Sequence, residues 1–350
     1  VTARGGSHPA YLSQNGGFVE ISGQEFLDFQ GTVNTLAPYG TSGILLLDPT
    51  NIEVVSSTEN TANLSDVDAF ADPDLGEPTA IAVDLINNAT TNVILQATEN
   101  ITLNTPIAIQ TPGVGLTAEA GNSIAVYGSI QTNQGDITLT ANRSGNGGLF
   151  IDSNAILSSG GGNITLTSNP GTNGIQTGEI ISTGGNVSLT SSGDIEVVAI
   201  DASGGSNGRG GRIEINTGGF FRATGTLRDR LDIPTSLYTA DDNGNEAIVI
   251  RHGGDSETPF IVGDARTNGT VGGIFTETEQ LNGILLSGDR TQGNIAILSN
   301  FTPPPSGGTQ PPPSGGTQPP PPSGGTQPPP PTGGTQPPPS GGMQPPPSGG

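Results

Sequence analysis

The chain has no cysteine, no tryptophan and no lysine, and all ten of its basic residues are arginine. Without cysteine there is no disulfide framework, no thiolate zinc site and no thiol redox chemistry. Aromatic residues make up only 4% of its 350 positions, too few to fill the core of an ordinary globular domain of this length. With 32 acidic residues against ten arginines the formal net charge is −22. Such a chain has no basic stripe for nucleic acid or an anionic membrane, and its charge favours solubility and opposes edge-to-edge association. Apolar runs are short, the ILLL at Ile44 being typical, so no segment reads as a membrane-spanning helix or the core of a signal peptide. Helical periodicity is almost absent.

What the chain does have is repetition. GDITLT at Gly135 returns as GNITLT at Gly162 and GNVSLT at Gly185, and more loosely as GGRIEIN at Gly210. Within each copy, apolar residues (Ile137, Leu139) alternate with polar ones (Thr138, Thr140), the period of a strand with one buried face. The preceding Gly-Asp or Gly-Asn reads as a turn, since both residue types tolerate positive φ. The first inward residues are read as Val93, Val114, Ile137, Ile164, Val187 and Ile213, at gaps of 21, 23, 27, 23 and 26. A second series contains Ile101, Ile124 and Ile195, and a third contains Ile107, Ile130, Ile156 and Ile200. Three short strands in about 23 residues predict a right-handed parallel β-helix with three sheets, an all-β solenoid whose coils bury a narrow aliphatic interior. A longer echo extends it. Residues 16–33 and 210–227 align without gaps with seven of eighteen positions identical, including Glu20 with Glu214 and Phe26 with Phe220.

These patterns divide the chain into β-helix coils over 1–55, an acidic loop or excursion over 56–78, regular coils over 79–227, and less regular terminal coils or a cap over 228–302. Residues 303–350 hold twenty of the thirty prolines, in copies of PPPSGGTQ. With nothing apolar to bury, this segment is expected to be a disordered spacer of polyproline II runs and Ser-Gly-Gly joints. The pattern starts part-way through at Val1 and stops inside a repeat, as a fragment of a longer protein would.

Several strings match one family. GGFVEISG at Gly16, FQGTVNT at Phe29 and SGILLLDPTNIEV at Ser42, with NVILQATENITL at Asn92 and TPFIVGDARTNGTVGGI at Thr258, resemble the filamentous-haemagglutinin-like exoproteins of bacterial two-partner secretion. The resemblance covers most of residues 1–300. It implies a secreted β-helix exported through an outer-membrane partner pore and held at the cell surface as an adhesin, a toxin-bearing stalk or a carrier of other domains. The family's amino-terminal secretion module is not visible in this stretch. A host-cell, cell-surface or polysaccharide ligand is the implied partner.

Chemistry-bearing clusters are sparse. Asp241-Asp242 with Arg251-His252-Gly253 is the nearest approach to the paired carboxylates of a polysaccharide hydrolase. The acids lie only ten residues from the histidine, less than half a coil, so a structural turn is the reading. Asp66, Asp68, Asp72 and Asp74, and the run Asp241–Glu246, are dense in oxygen ligands, but neither matches an EF-hand or a calcium β-roll. The outward Thr138/Thr140, Thr165/Thr167 and Ser188/Thr190 would stack as a ladder that Glu214/Asn216 interrupts, too short for an ice-binding face. His8 reads as a loop residue. No catalytic, cofactor or metal residue is assigned. The expectation is a non-catalytic stalk, with a carbohydrate-active enzyme or a calcium-dependent module as alternatives. Any binding surface is expected in the loops 56–78 and 228–292 rather than on the regular coils.

Overall fold

A computed structural model of the chain describes residues 2–4, 15–22, 33–37, 40, 43–57, 79–141, 147–168, 173–204, 209–228, 233–240, 247–286 and 288–300. The acidic stretch Asp66–Asp74, Asp241–Glu246, His8, Phe26 and the Pro-rich segment 303–350 lie outside these residues.

The fold is a three-sheet parallel β-helix, with sheets of eleven, eleven and nine strands. One coil shows the plan: Ile137–Ala141 lies in the first sheet, Leu149–Ile151 in the second and Ile156–Ser158 in the third, before Ile164–Ser168 starts the next coil. Alternation does what the sequence predicts. Ile137, Leu139, Ile164, Leu166, Val187 and Leu189 are fully buried, and Ile137 stacks on Ile164 and Ile164 on Val187 in parallel register. Each such side chain contributes roughly 1.5–3 kcal/mol by leaving water. Because the column repeats from coil to coil, the core is continuous and mainly aliphatic, joined by Phe221 and Phe260 toward the carboxyl-terminal coils. Val19 and Ile213, matched by the longer echo, occupy the same column of the first sheet.

Two register assignments differ from the sequence reading. Leu116, not Val114, lies between Val93 and Ile137. Val114 is buried two residues before Leu116, its carbonyl against Gly135. In the third sheet Leu157, not Ile156, faces inward between Ile130 and Ile180. A one-residue slip reverses the face of a strand, and Ile156 is accordingly exposed.

The glycines of the GD and GN pairs also work differently from the turn reading. Gly135, Gly162, Gly185 and Gly211 are not among the residues with positive φ. A Cβ on them would lie 1.9, 2.3, 1.8 and 2.0 Å from a backbone carbonyl oxygen of the adjacent coil, so only glycine permits the approach. The positive φ values fall earlier, at Gln134, Gly160, Gly161, Thr183 and Gly184. The Asp or Asn that follows Gly135, Gly162 and Gly185 is a rung-to-rung link. Asp136 Oδ1 accepts from the Asn163 backbone N–H (2.7 Å), Asn163 Oδ1 from Asn186 N–H (3.0 Å), and Asn186 Oδ1 from Arg212 N–H (2.9 Å). Three residues before each glycine, a buried hydroxyl closes the corner: Thr132, Ser159 and Ser182 donate to the carbonyls of Gly135, Gly162 and Gly185, each at 2.5 Å. The repeating unit is therefore Ser/Thr-x-x-Gly-Asp/Asn, with its hydroxyl and its Asp/Asn Oδ1 each accounted for.

Near the amino-terminal end the path doubles back. Ile52–Val55 pairs with Ile101–Leu103 on one side and with Thr79–Ala82 on the other, both in parallel. The five-residue helix Val83–Asn87 follows, and Asn87 Oδ1 accepts from the Ala108 N–H (2.6 Å) of the edge strand of the third sheet. At the other end each sheet finishes on an antiparallel strand: Arg290–Gln292, Ile284–Leu286 and Gln280–Leu281. These strands are short and reversed, so the edges they leave are poor templates for further pairing.

Candidate functional site

Of the residues singled out for catalysis, Asp241 and Asp242 lie outside the described residues, and Arg251 and His252 face apart. His252 ends the strand Ile248–His252, is 5% exposed, and lies 5.2 Å from the Phe260 ring. Its Nδ1 accepts from the Gly254 N–H (3.1 Å) and faces the Asn268 amide nitrogen at 3.1 Å. Asn268 in turn donates to the Thr258 carbonyl (3.3 Å) and accepts from the Phe221 N–H (3.3 Å). The histidine is thus a buried acceptor that fastens the loop after its strand to the core. Arg251 points the other way, pairing with Glu214 one coil earlier at 3.1 Å. Among the described residues there is no cluster of three or more His, Asp or Glu able to hold a metal, and no helix is long and apolar enough to cross a membrane.

Burial lowers the His252 pKa from 6.5 to about 4, against a smaller opposing effect of Asp289. Protonation would also convert Nδ1 from acceptor to donor and break both contacts. The unfolded chain therefore binds the proton first as pH falls. This contribution to stability is complete above pH 6.5 and is lost as pH falls toward 4. A histidine shifted this far is worth up to roughly 3 kcal/mol. His252→Gln, which keeps an acceptor and does not titrate, is expected to show a smaller drop in melting temperature between pH 7 and pH 4 than the parent chain. Parallel curves would contradict the assignment.

The feature best suited to a ligand lies on the outer face of the second sheet. Register stacks Glu53, Thr102, Ala125, Phe150, Gln176, Glu196 and Arg222 outward on seven successive strands. A parallel column just before it contains Asn51, Asn100, Ser123, Gly148, Gly174, Asp194 and Phe220, joined through carbonyls that accept from the adjacent coil. Its polar side chains form a ladder at both ends: Asn51 Oδ1 accepts from Asn100 N–H (3.0 Å), and Asp194 Oδ1 from Phe220 N–H (2.8 Å). In the middle, Gly148 and Gly174 have no side chains, and the ladder opens into a groove. This groove, about 380 Å³, extends from Ser123 to Arg222. A second, about 370 Å³, extends from Asn51 to Ser123 and shares Ser123 and Ala125 with it.

One exposed ring, Phe150, lines the groove, and a second, Tyr127, packs against it. Phe150 is 37% and Tyr127 55% exposed, with centroids 6.0 Å apart and planes tilted by 56°. Arg222 closes the far end, its guanidinium bound to Glu196 (2.8 Å) and Asp194 (3.3 Å). Sequence reasoning missed this surface because its members lie about one coil apart and belong to no local motif. The only signal was the ~23-residue spacing itself, once applied to the second sheet. It lies on regular coils; of the loops expected to carry binding, residues 58–78 lie outside the described residues. The outward Thr138, Thr165 and Ser188 do stack on the first sheet, and Glu214 follows them in register.

No protein-family model matches the chain, and comparison with curated proteins and with solved structures finds no match to either.

Proposed function

We propose that the chain is the β-helical stalk of a secreted, surface-displayed exoprotein of the filamentous-haemagglutinin-like kind, with a scaffold and adhesion role and no catalysis of its own. The supporting observation is the continuity of the coil-to-coil links. The aliphatic columns, the Asp136–Asn163–Asn186 ladder and the buried hydroxyls repeat from coil to coil, so stiffness comes from repetition rather than from one core. Ten parallel strands of the first sheet, at about 4.8 Å each, span roughly 43 Å. In this reading the Pro-rich segment after Thr302 is a tether, and the outer-membrane pore is the export partner. A solenoid without cysteine suits such export, because coils can form one upon another as they emerge.

The test is display. Fused behind a two-partner secretion module and produced with the matching outer-membrane pore, the chain is expected to reach the cell surface. Added protease should then trim the Pro-rich segment and leave a protected core ending near Thr302. Retention in the periplasm would contradict the reading. So would cleavage of acidic polysaccharide that disappears in Asp241→Asn.

A further inference from the structure

The geometry points to the groove of the second sheet as a binding site for an uncharged, linear polysaccharide. This goes beyond the scaffold reading and does not depend on where the chain is displayed.

The shape sets the first condition. The two grooves share Ser123 and Ala125 in their linings and follow one another along the stacking direction over seven strands, roughly 29 Å at about 4.8 Å per strand. A ligand that fills them is an extended polymer, presenting one unit for each coil or so. Gly148 and Gly174 give it a bare floor.

The chemistry of the walls sets the second. Phe150 lines the groove and Tyr127 packs against it, both partly exposed, an aromatic surface that costs free energy in water and suits the C–H face of a sugar ring. On the next three coils a carboxamide, a carboxylate and a guanidinium follow in register: Gln176, Glu196 and Arg222. Planar groups with paired donors and acceptors at strand spacing are matched to the adjacent hydroxyls of pyranose rings.

Charge decides between sugars. Among the described lining residues the single cation, Arg222, is already held by Glu196 and Asp194, so that lining carries a net negative charge on a chain of −22. An anionic polysaccharide would be repelled. Main-chain pairing decides against an extended peptide. The strands beneath the groove bond to the strands above and below them, leaving no sheet edge for a peptide to join.

Affinity electrophoresis of the full chain in native gels tests this, with hydroxyethylcellulose, galactomannan or soluble starch as uncharged probes and polygalacturonate as the anionic one. At least one uncharged probe is expected to retard the chain, and polygalacturonate is not. The double variant Tyr127→Ala/Phe150→Ala should weaken that retardation by roughly tenfold or more. Both side chains are partly exposed, so its melting temperature should fall only by the small amount that the loss of one aromatic pair costs. Gln176→Ala should weaken retardation by a smaller factor. No retardation by any uncharged probe, equal retardation of the double variant, or retardation by polygalacturonate alone would overturn the assignment. The display experiment is unaffected by each of these results.

Discussion

Gly185→Ala is expected to destabilise the chain by roughly 3 kcal/mol or more, although it adds only one methyl group, at a buried position between two coils. The new Cβ would lie 1.8 Å from the Gly162 carbonyl oxygen and 2.5 Å from its carbon. Both atoms are backbone, and they cannot retreat. The Gly162 carbonyl also accepts from the buried Ser159 hydroxyl, and the next residue is tied through Asn163 to the coils on both sides. Relief requires the coils to separate, which breaks the stacking of Ile164 on Val187 as well. Because coil-to-coil contacts supply most of the stability of a solenoid, the unfolding transition should also lose cooperativity. Two controls isolate the cause. Gly113 has φ of 74° and nothing within 4 Å of a Cβ, so Gly113→Ala should cost only the backbone strain, about 1–2 kcal/mol. Gly288 has open space and no positive φ, and Gly288→Ala should be neutral or stabilising by less than about 1 kcal/mol. Urea melts followed by circular dichroism measure all three. A Gly185→Ala variant as stable as Gly288→Ala would refute the close-approach account.

That result also bears on what the sequence made legible. The first sheet could be read because its strands are five residues long and its Thr faces alternate cleanly with Ile and Leu. The inward positions of Ile137, Leu139, Ile164 and Leu166 follow from that pattern alone. Its starting point was harder. Val114, Leu116 and Ala118 share one parity, so alternation cannot say which begins the column. The backbone decides it: the Asp136 carbonyl accepts from Leu116 N–H, as the Asn163 carbonyl does from Ile137 N–H. Strands of two or three residues in the third sheet are too short to show a period at all, which is why Ile156 and Leu157 exchange roles. In the second sheet, Leu149 and Ile175 were passed over because GLFI and GIQT lack the flanking Thr pattern. The groove depends on these two strands, so it was not visible until their register was known. The glycines were visible but their reason was not. A sequence shows that Gly recurs at 135, 162 and 185, but not that a neighbouring carbonyl stands where a side chain would be.

Register carries the rest of the account, from the aliphatic columns to the wall of Gln176, Glu196 and Arg222, and the lack of cysteine allows it to be measured directly. Thr138 and Thr165 are parallel partners on adjacent coils, and Ser188 lies one coil further. All three side chains face outward and are partly exposed, so replacing them does not disturb the core. Adjacent parallel strands lie about 4.8 Å apart, within the Cα range of about 4.4–6.8 Å that a disulfide spans. Two coils are about 9.6 Å apart, beyond its reach of about 7 Å. Mild oxidation of the double variant Thr138→Cys/Thr165→Cys should therefore close the bond in most molecules, seen by peptide mapping, while Thr138→Cys/Ser188→Cys remains reduced. Closure of the second pair with the first remaining open would contradict the stacking of these coils.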